Sequence, residues 1–267
     1  MSEVSTIERL LKRDRAIVLT ALAAMAVVSA IYTVFGVGMD MSALDMTAMP
    51  GDMLMAVAVW TPEYAVLAFF MWWIMMIAMM LPSAAPVLLL YAALKRRRRE
   101  IVNPVAMTAV FLSGYLSVWA FFSLLATSLQ WILQSAGLVS GMLNVSNKVL
   151  GIAILLAASA YQFSPLKQVC LTQCRQPARF IAGPQGAGLT GALRLGIRHG
   201  TYCVGCCGGL MLLLFFGGIM NLFWVAGLGL YVLLEKLLPY GRWLSYAAGV
   251  GLFAVGLKLT ASLIIPE

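Results

Sequence analysis

Residues Tyr64–Leu94 read YAVLAFFMWWIMMIAMMLPSAAPVLLLYAAL and contain no charged side chain. A run of about twenty apolar residues is enough for a helix to cross the hydrocarbon core of a bilayer. This run predicts a transmembrane helix, and six further apolar runs predict others: Ala16–Val37, Pro104–Leu133, Val149–Phe163, Leu193–Phe216, Leu222–Leu238 and Trp243–Ile264. The expected fold is an all-α, polytopic helical membrane bundle of about seven transmembrane helices, or about six if one run is re-entrant.

The composition supports the same class of protein. Of the 267 residues, 62% are hydrophobic and 10% are charged, which is more apolar surface than a soluble fold of this length can bury. We expect a single transmembrane helical domain over residues 16–264, preceded by a cytoplasmic segment over residues 1–15. The lipid bilayer is then the main partner, and no room is left for a sizeable soluble domain.

The positions of the basic residues predict the orientation. The net charge is +8, but lysine and arginine concentrate in short connections such as KRRRR at 95–99, which is the positive-inside pattern. This pattern places the amino terminus and the connection 164–192 in the cytoplasm, and the loop 38–63 outside. Pro165 and Pro177 are expected to break regular structure in the connection. Charge distributed in this way argues against nucleic-acid binding.

The segment Arg194–Met211, RLGIRHGTYCVGCCGGLM, holds the only histidine and three of the five cysteines. On a helix, side chains three and four residues apart share a face, so His199, Cys203, Cys206 and Cys207 are expected to point into one arc that continues to Met211. Thiolates and thioethers are soft donors that select Cu(I) or Zn(II), and imidazole suits either metal. The alternative is that small residues pack at a helix contact.

Methionine favours copper over zinc. The chain has 17 methionines. Met75, Met79 and Met80 belong to a stripe in the second apolar run, and six others crowd the loop 38–63, where thioethers retain Cu(I) affinity outside the cell: Met39, Met41, Met46, Met49, Met53 and Met55. Both sets of methionines also have an explanation without metal. The stripe can belong to the core, because methionine fills gaps between helices, and the loop can pack on the bundle.

A second thiol pair, Cys170 and Cys174, has helical spacing in the connection 164–192. The cytosol keeps thiols reduced, and Lys167 and Arg175 are expected to favour the thiolate form. These donors permit an ordered path for inward copper movement or delivery, from outer thioethers to inner thiolates. Glu235 either marks the membrane interface or serves as a proton or cation partner inside the bundle.

Other functions stay open at this point. A thiol–disulfide relay would use Cys203 and Cys206, and it would give His199 no role. A b-type haem is disfavoured because no second histidine is present. A non-catalytic subunit of a larger complex would use the same residues for packing. The sequence has no nucleotide-binding P-loop and assigns no catalytic residue, so a non-enzymatic role is favoured.

Several segments together resemble an uncharacterised bacterial family of predicted metal-binding integral membrane proteins: Met71–Pro86, Tyr161–Pro177, Gly191–Met211 and Asn221–Gly241. The resemblance implies a metal site in a bacterial inner membrane. If the metal is copper, the expected partner is a copper chaperone or a membrane cuproenzyme. Carried over residue by residue, it points to Met79, Met80, Cys170, Cys174, His199, Cys203, Cys206, Cys207 and Glu235. Gly208 stands where the family has a tryptophan.

Overall fold

The computed structural model describes residues 2–35, 59–97, 103–139, 145, 147–182 and 188–264. The six methionines predicted to capture metal in the loop 38–63 lie outside these residues: Met39, Met41, Met46, Met49, Met53 and Met55. Their role therefore stays a prediction.

The described residues form helices and no named strand, apart from an isolated bridge between Val139 and Val145. The all-α prediction is confirmed. In chain order the helices are α1 Ser2–Phe35, α2 Pro62–Arg97, α3 Pro104–Ser135, α4 Lys148–Phe163, α5 Pro165–Arg175, α6 Pro177–Ala182, α7 Gly188–Met211, α8 Leu213–Gly217, α9 Leu222–Leu237 and α10 Gly241–Ile264.

Among the described residues, five helical stretches are long and apolar enough to cross a membrane, which is fewer than the seven predicted. They are Val18–Phe35, Pro62–Arg96, Pro104–Ser135, Gly188–Gly217 and Gly241–Ile264. The predicted fourth span reaches this length only when α4 is joined to α5 across a 63° bend, which gives up to six. The predicted sixth span, α9, has 16 residues. These assignments rest on length and composition.

Within the described residues of the connection 164–192, most of the backbone is helical. The helices are interrupted at Ser164 and Gln176, directly before Pro165 and Pro177, as predicted. Each proline stands in the first turn of the next helix, where a backbone N–H would have no intrahelical partner. Ser164 caps α5 by accepting a hydrogen bond from the Lys167 N–H at 3.1 Å. The thiol pair Cys170 and Cys174 therefore lies on a helix that packs against α7.

Helix α7 lies at the centre of the described bundle, against α3 and α5. Its close approach to α3 depends on glycines, which have no Cβ. A Cβ on Gly196 would run into the Phe111 carbonyl oxygen of α3, and one on Gly114 would lie 2.6 Å from the Leu193 carbonyl oxygen. Helix α2 packs against α1, α3 and α9, while α4 pairs with α10. This arrangement brings α2, α3, α5 and α9 to the part of α7 that carries the cysteines.

Candidate metal centre

The three cysteines of α7 are fully buried. Cys203, Cys206 and Cys207 each have 0% of their surface exposed. The thiols of Cys206 and Cys207 approach the carbonyl oxygen of Cys203 at 3.2 and 2.9 Å, respectively. All five cysteines of the chain are free thiols.

Two sulfur pairs form on this turn of α7, each with a different neighbouring helix. Cys206 Sγ lies 3.8 Å from Cys174 Sγ of α5, and Cys207 Sγ lies 3.6 Å from Met80 Sδ of α2. Given metal–sulfur bonds of about 2.3 Å, sulfurs at these separations subtend an angle of about 110° or slightly less at a shared ion. The two sulfurs of each pair are thus close enough to hold one soft ion between them.

Cys203 has two polar partners on neighbouring helices. Its Sγ lies 3.2 Å from the Tyr115 hydroxyl of α3 and 3.1 Å from Lys236 Nζ of α9. Lys236 also donates to the Ser83 hydroxyl of α2 at 2.9 Å. Four helices therefore meet around this sulfur.

His199 is surrounded by aromatic rings. The imidazole has 2% of its surface exposed, and its centroid lies 5.1 Å from the ring of Phe180, 5.6 Å from that of Tyr115 and 6.0 Å from that of Phe111. Its Nδ1 has no hydrogen-bond partner within the described part of the chain. In the same residues, no set of three or more His, Cys, Asp or Glu side chains is arranged to hold a metal ion.

The methionines predicted as ligands are buried around the cysteines. Met75, Met80 and Met211 have 0% exposure, and Met79 has 6%. Met80 is the one placed against a cysteine sulfur, while Met79 packs against Gly229 of α9. The structure thus places Met80 in a sulfur pair and leaves Met75, Met79 and Met211 as neighbours in the same core.

Cys170 is buried on the same face of α5 as Cys174 but meets backbone rather than sulfur. A Cβ on Gly205 of α7 would lie 2.6 Å from Cys170 Sγ, so this glycine admits the thiol against the helix. The Tyr161 hydroxyl donates to the carbonyl oxygen of the same glycine. At Gly208, where the resemblance expects tryptophan, Val204 and Phe122 lie 3.2 and 3.5 Å from the position of a Cβ.

The buried charges of the centre were largely missed by the sequence reasoning. The carboxylate of Glu235 is fully buried inside the bundle and forms an ion pair with Lys167 at 2.9 Å. Tyr231 donates to the same carboxylate at 3.1 Å. Lys167 is therefore engaged away from the thiols, and Arg175 donates to the carbonyls of Leu238 and Pro239.

The cation that contacts a thiol is Lys236. The sequence does contain a signal for this residue, because Lys236 stands inside the apolar run LFWVAGLGLYVLLEKLL. A charge at such a position requires a partner.

Comparison with known proteins gives one match. Residues 69–259 match the PpoB2 family, which is described as copper chaperones. No curated protein and no solved structure matches the chain. The matched segment covers more than half of the chain and contains all five cysteines, His199 and Met80. The chain therefore belongs to the PpoB2 copper chaperone family.

Proposed function

We propose that this chain is an integral membrane copper chaperone that holds Cu(I) between the buried sulfurs of α2, α5 and α7. The observation that carries the proposal is the pairing of Cys206 with Cys174 and of Cys207 with Met80. Membership of a copper chaperone family supports the identity of the metal. The site then lies inside a helical domain spanning residues 16–264 of a bacterial inner membrane.

The donor set fits Cu(I) better than zinc. Structural zinc sites take four nitrogen or sulfur ligands in a tetrahedron, whereas soft thiolates and a thioether suit Cu(I). The described residues offer sulfur in pairs and no convergent group of three or more histidines, cysteines and carboxylates. Zinc would need a further ligand, such as His199 or water, to complete its coordination.

The adjacent positions of Cys206 and Cys207 support transfer as well as storage. An ion at Met80 and Cys207 can pass to Cys206 and Cys174 by exchanging one sulfur at a time, so that it is never without a ligand. The buried methionines of α2, with the six of the loop 38–63, would supply ions to the first pair. In this proposal the second pair leads towards the cytoplasmic side and a recipient, which is a soluble copper chaperone or a membrane cuproenzyme.

The first test is the copper content of the protein purified anaerobically in detergent and loaded with Cu(I). We expect the wild-type chain to retain at least about one copper per chain, and the double variant Cys206→Ser/Cys207→Ser to lose it, because hydroxyls are poor ligands for Cu(I). Cys170→Ser is the matched control, since that thiol lies against Gly205 of α7 and outside the two sulfur pairs.

The outcomes separate the alternatives. A wild-type protein without copper would contradict the proposed function. Copper loss in Cys170→Ser as well would contradict the assignment of the two pairs and leave copper binding standing. Alkylation of the denatured protein without reductant should label five thiols, and protection of Cys203 and Cys206 would instead support a redox relay.

The thioether of Met80 is expected to contribute to affinity. Met80→Leu preserves most of the side-chain volume and removes the sulfur, and we expect it to weaken Cu(I) binding by about tenfold, equal to about 1.4 kcal/mol. Met107→Leu, at an equally buried position of α3, is the control for the packing change. Competition with a Cu(I) chelator measures both affinities, and equal values would remove Met80 from the site.

A further inference from the structure

Lys236 is a buried lysine held against the cysteine-bearing turn of α7. Its side chain has 7% of its surface exposed. The Nζ atom donates to Ser83 at 2.9 Å and to the sulfur of Cys203 at 3.1 Å. An ammonium group has three donors and no acceptor, so these contacts fix its charge beside the metal centre.

No carboxylate is recorded against this ammonium in the described ranges of the chain. Glu235, the adjacent residue, turns its carboxylate to Lys167 and Tyr231. A buried charge without an opposite charge is strongly unfavourable, because the interior cannot replace its hydration. The groups left to balance Lys236 are the sulfurs of the centre, which carry negative charge as thiolates.

We infer that Lys236 is the resident counter-charge of the copper centre and sets its preference for a monovalent soft cation. The inference deepens the proposed function and rests on it. When the Cys206 and Cys174 thiols bind Cu(I), both protons leave to the solvent and the complex carries one negative charge. The ammonium of Lys236 then makes the buried centre neutral.

A divalent ion breaks this balance. Two thiolates with Zn(II) or Cd(II) form a neutral complex, and the ammonium then leaves one positive charge unbalanced in the interior. That charge is unfavourable for the same reason as an unpaired buried lysine. Lys236 is thus a positioning and charge-balancing residue, which selects the ion without being a ligand to it.

The test compares a monovalent and a divalent soft ion on the same protein. Ag(I) replaces Cu(I) because it does not change its oxidation state, and Cd(II) represents the divalent ions. Competition binding on detergent-purified protein gives the ratio of the two affinities. We expect Lys236→Met to shift this ratio towards Cd(II) by about tenfold or more, equal to about 1.4 kcal/mol, and Lys236→Arg to preserve it.

A purely structural role predicts a different result. Lys236 also connects α9 to α2 and α7 through its hydrogen bonds to Ser83 and Cys203. Loss of these bonds alone would lower the affinities for Ag(I) and Cd(II) together and leave their ratio unchanged. Lys236→Gln removes the charge and retains a hydrogen-bond donor, so it separates the two effects. An unchanged ratio in either neutral variant would overturn the inference.

A further variant tests the inference even if the neutral variants of Lys236 do not fold. Ser83→Asp retains Lys236 and sets a carboxylate against it, so it offsets the charge without leaving a buried ion unpaired. It should shift the ratio towards Cd(II) in the same direction, and an unchanged ratio would again overturn the inference. Wild-type protein that binds neither ion would instead contradict the proposed function itself.

Discussion

Gly196→Ala is expected to destabilise the protein by about 3 kcal/mol, at the upper end of the usual range for overpacking. The added Cβ would overlap the Phe111 carbonyl oxygen, which belongs to backbone and cannot move aside by a rotamer change. Helices α3 and α7 would have to separate, and Tyr115 would withdraw from Cys203. We therefore expect weaker copper binding together with a lower midpoint of thermal unfolding in detergent.

Gly227→Ala is the matched control for this substitution. Gly227 is also inside a helix, and a Cβ there meets nothing within 4 Å. Alanine favours the helix by about 1 kcal/mol over glycine at both positions, so the difference between the two variants isolates the steric conflict. Equal midpoints would show that α3 and α7 do not approach each other as closely as the structure places them.

Lys167→Met is expected to cost about 3–5 kcal/mol, because it leaves the buried carboxylate of Glu235 without its ion partner. Both side chains have 0% exposure and their charged atoms are 2.9 Å apart. The hydroxyl of Tyr231 is too weak a partner to replace an ammonium. Denaturant or thermal unfolding measures the loss.

The double variant Lys167→Met/Glu235→Leu should recover most of the lost stability, since an apolar pair of similar volume often replaces a buried ion pair without penalty. Lys258→Met, at an exposed position of α10, is the control and should change stability by no more than about 0.5 kcal/mol. A single variant as stable as this control would mean that the carboxylate has another partner or is protonated. Copper retained by the double variant would show that the pair is structural.

The sequence predicted the helices well where one physical signal dominates. Long apolar runs with at most one charged residue predicted α2, α3 and α10, because a helix satisfies its own backbone and needs little from its neighbours. At residues 164–182 the prolines correctly predicted the breaks between α4, α5 and α6, but not that the segments between the breaks are helical. A proline at the first turn of a helix and one that ends a helix look the same until the capping residue and the packing partner are known.

For the candidate site too, local features were predicted from the sequence and long-range contacts were not. Helical spacing predicted that Cys203, Cys206 and Cys207 lie on one arc of a helix, because periodicity is a local property. In the structure all three are on α7 and buried. Their partners depend on residues distant in the chain: Cys206 and Cys207 are neighbours separated by about 100° around the helix, so they face different helices. Spacing grouped His199 with the thiols, whereas the fold surrounds it with aromatic rings.

The sequence by itself determined that this protein is a helical chain rich in soft sulfur donors, since composition and periodicity are written in consecutive residues. Only the tertiary structure decided that Cys206 meets Cys174, that Cys207 meets Met80 and that Lys236, rather than Lys167, contacts a thiol. The physical reason is that metal-binding sulfurs and buried charges are paired by the packing of α2, α5 and α9 around α7. That packing depends on the shapes of whole helices, and no local pattern in the sequence encodes it.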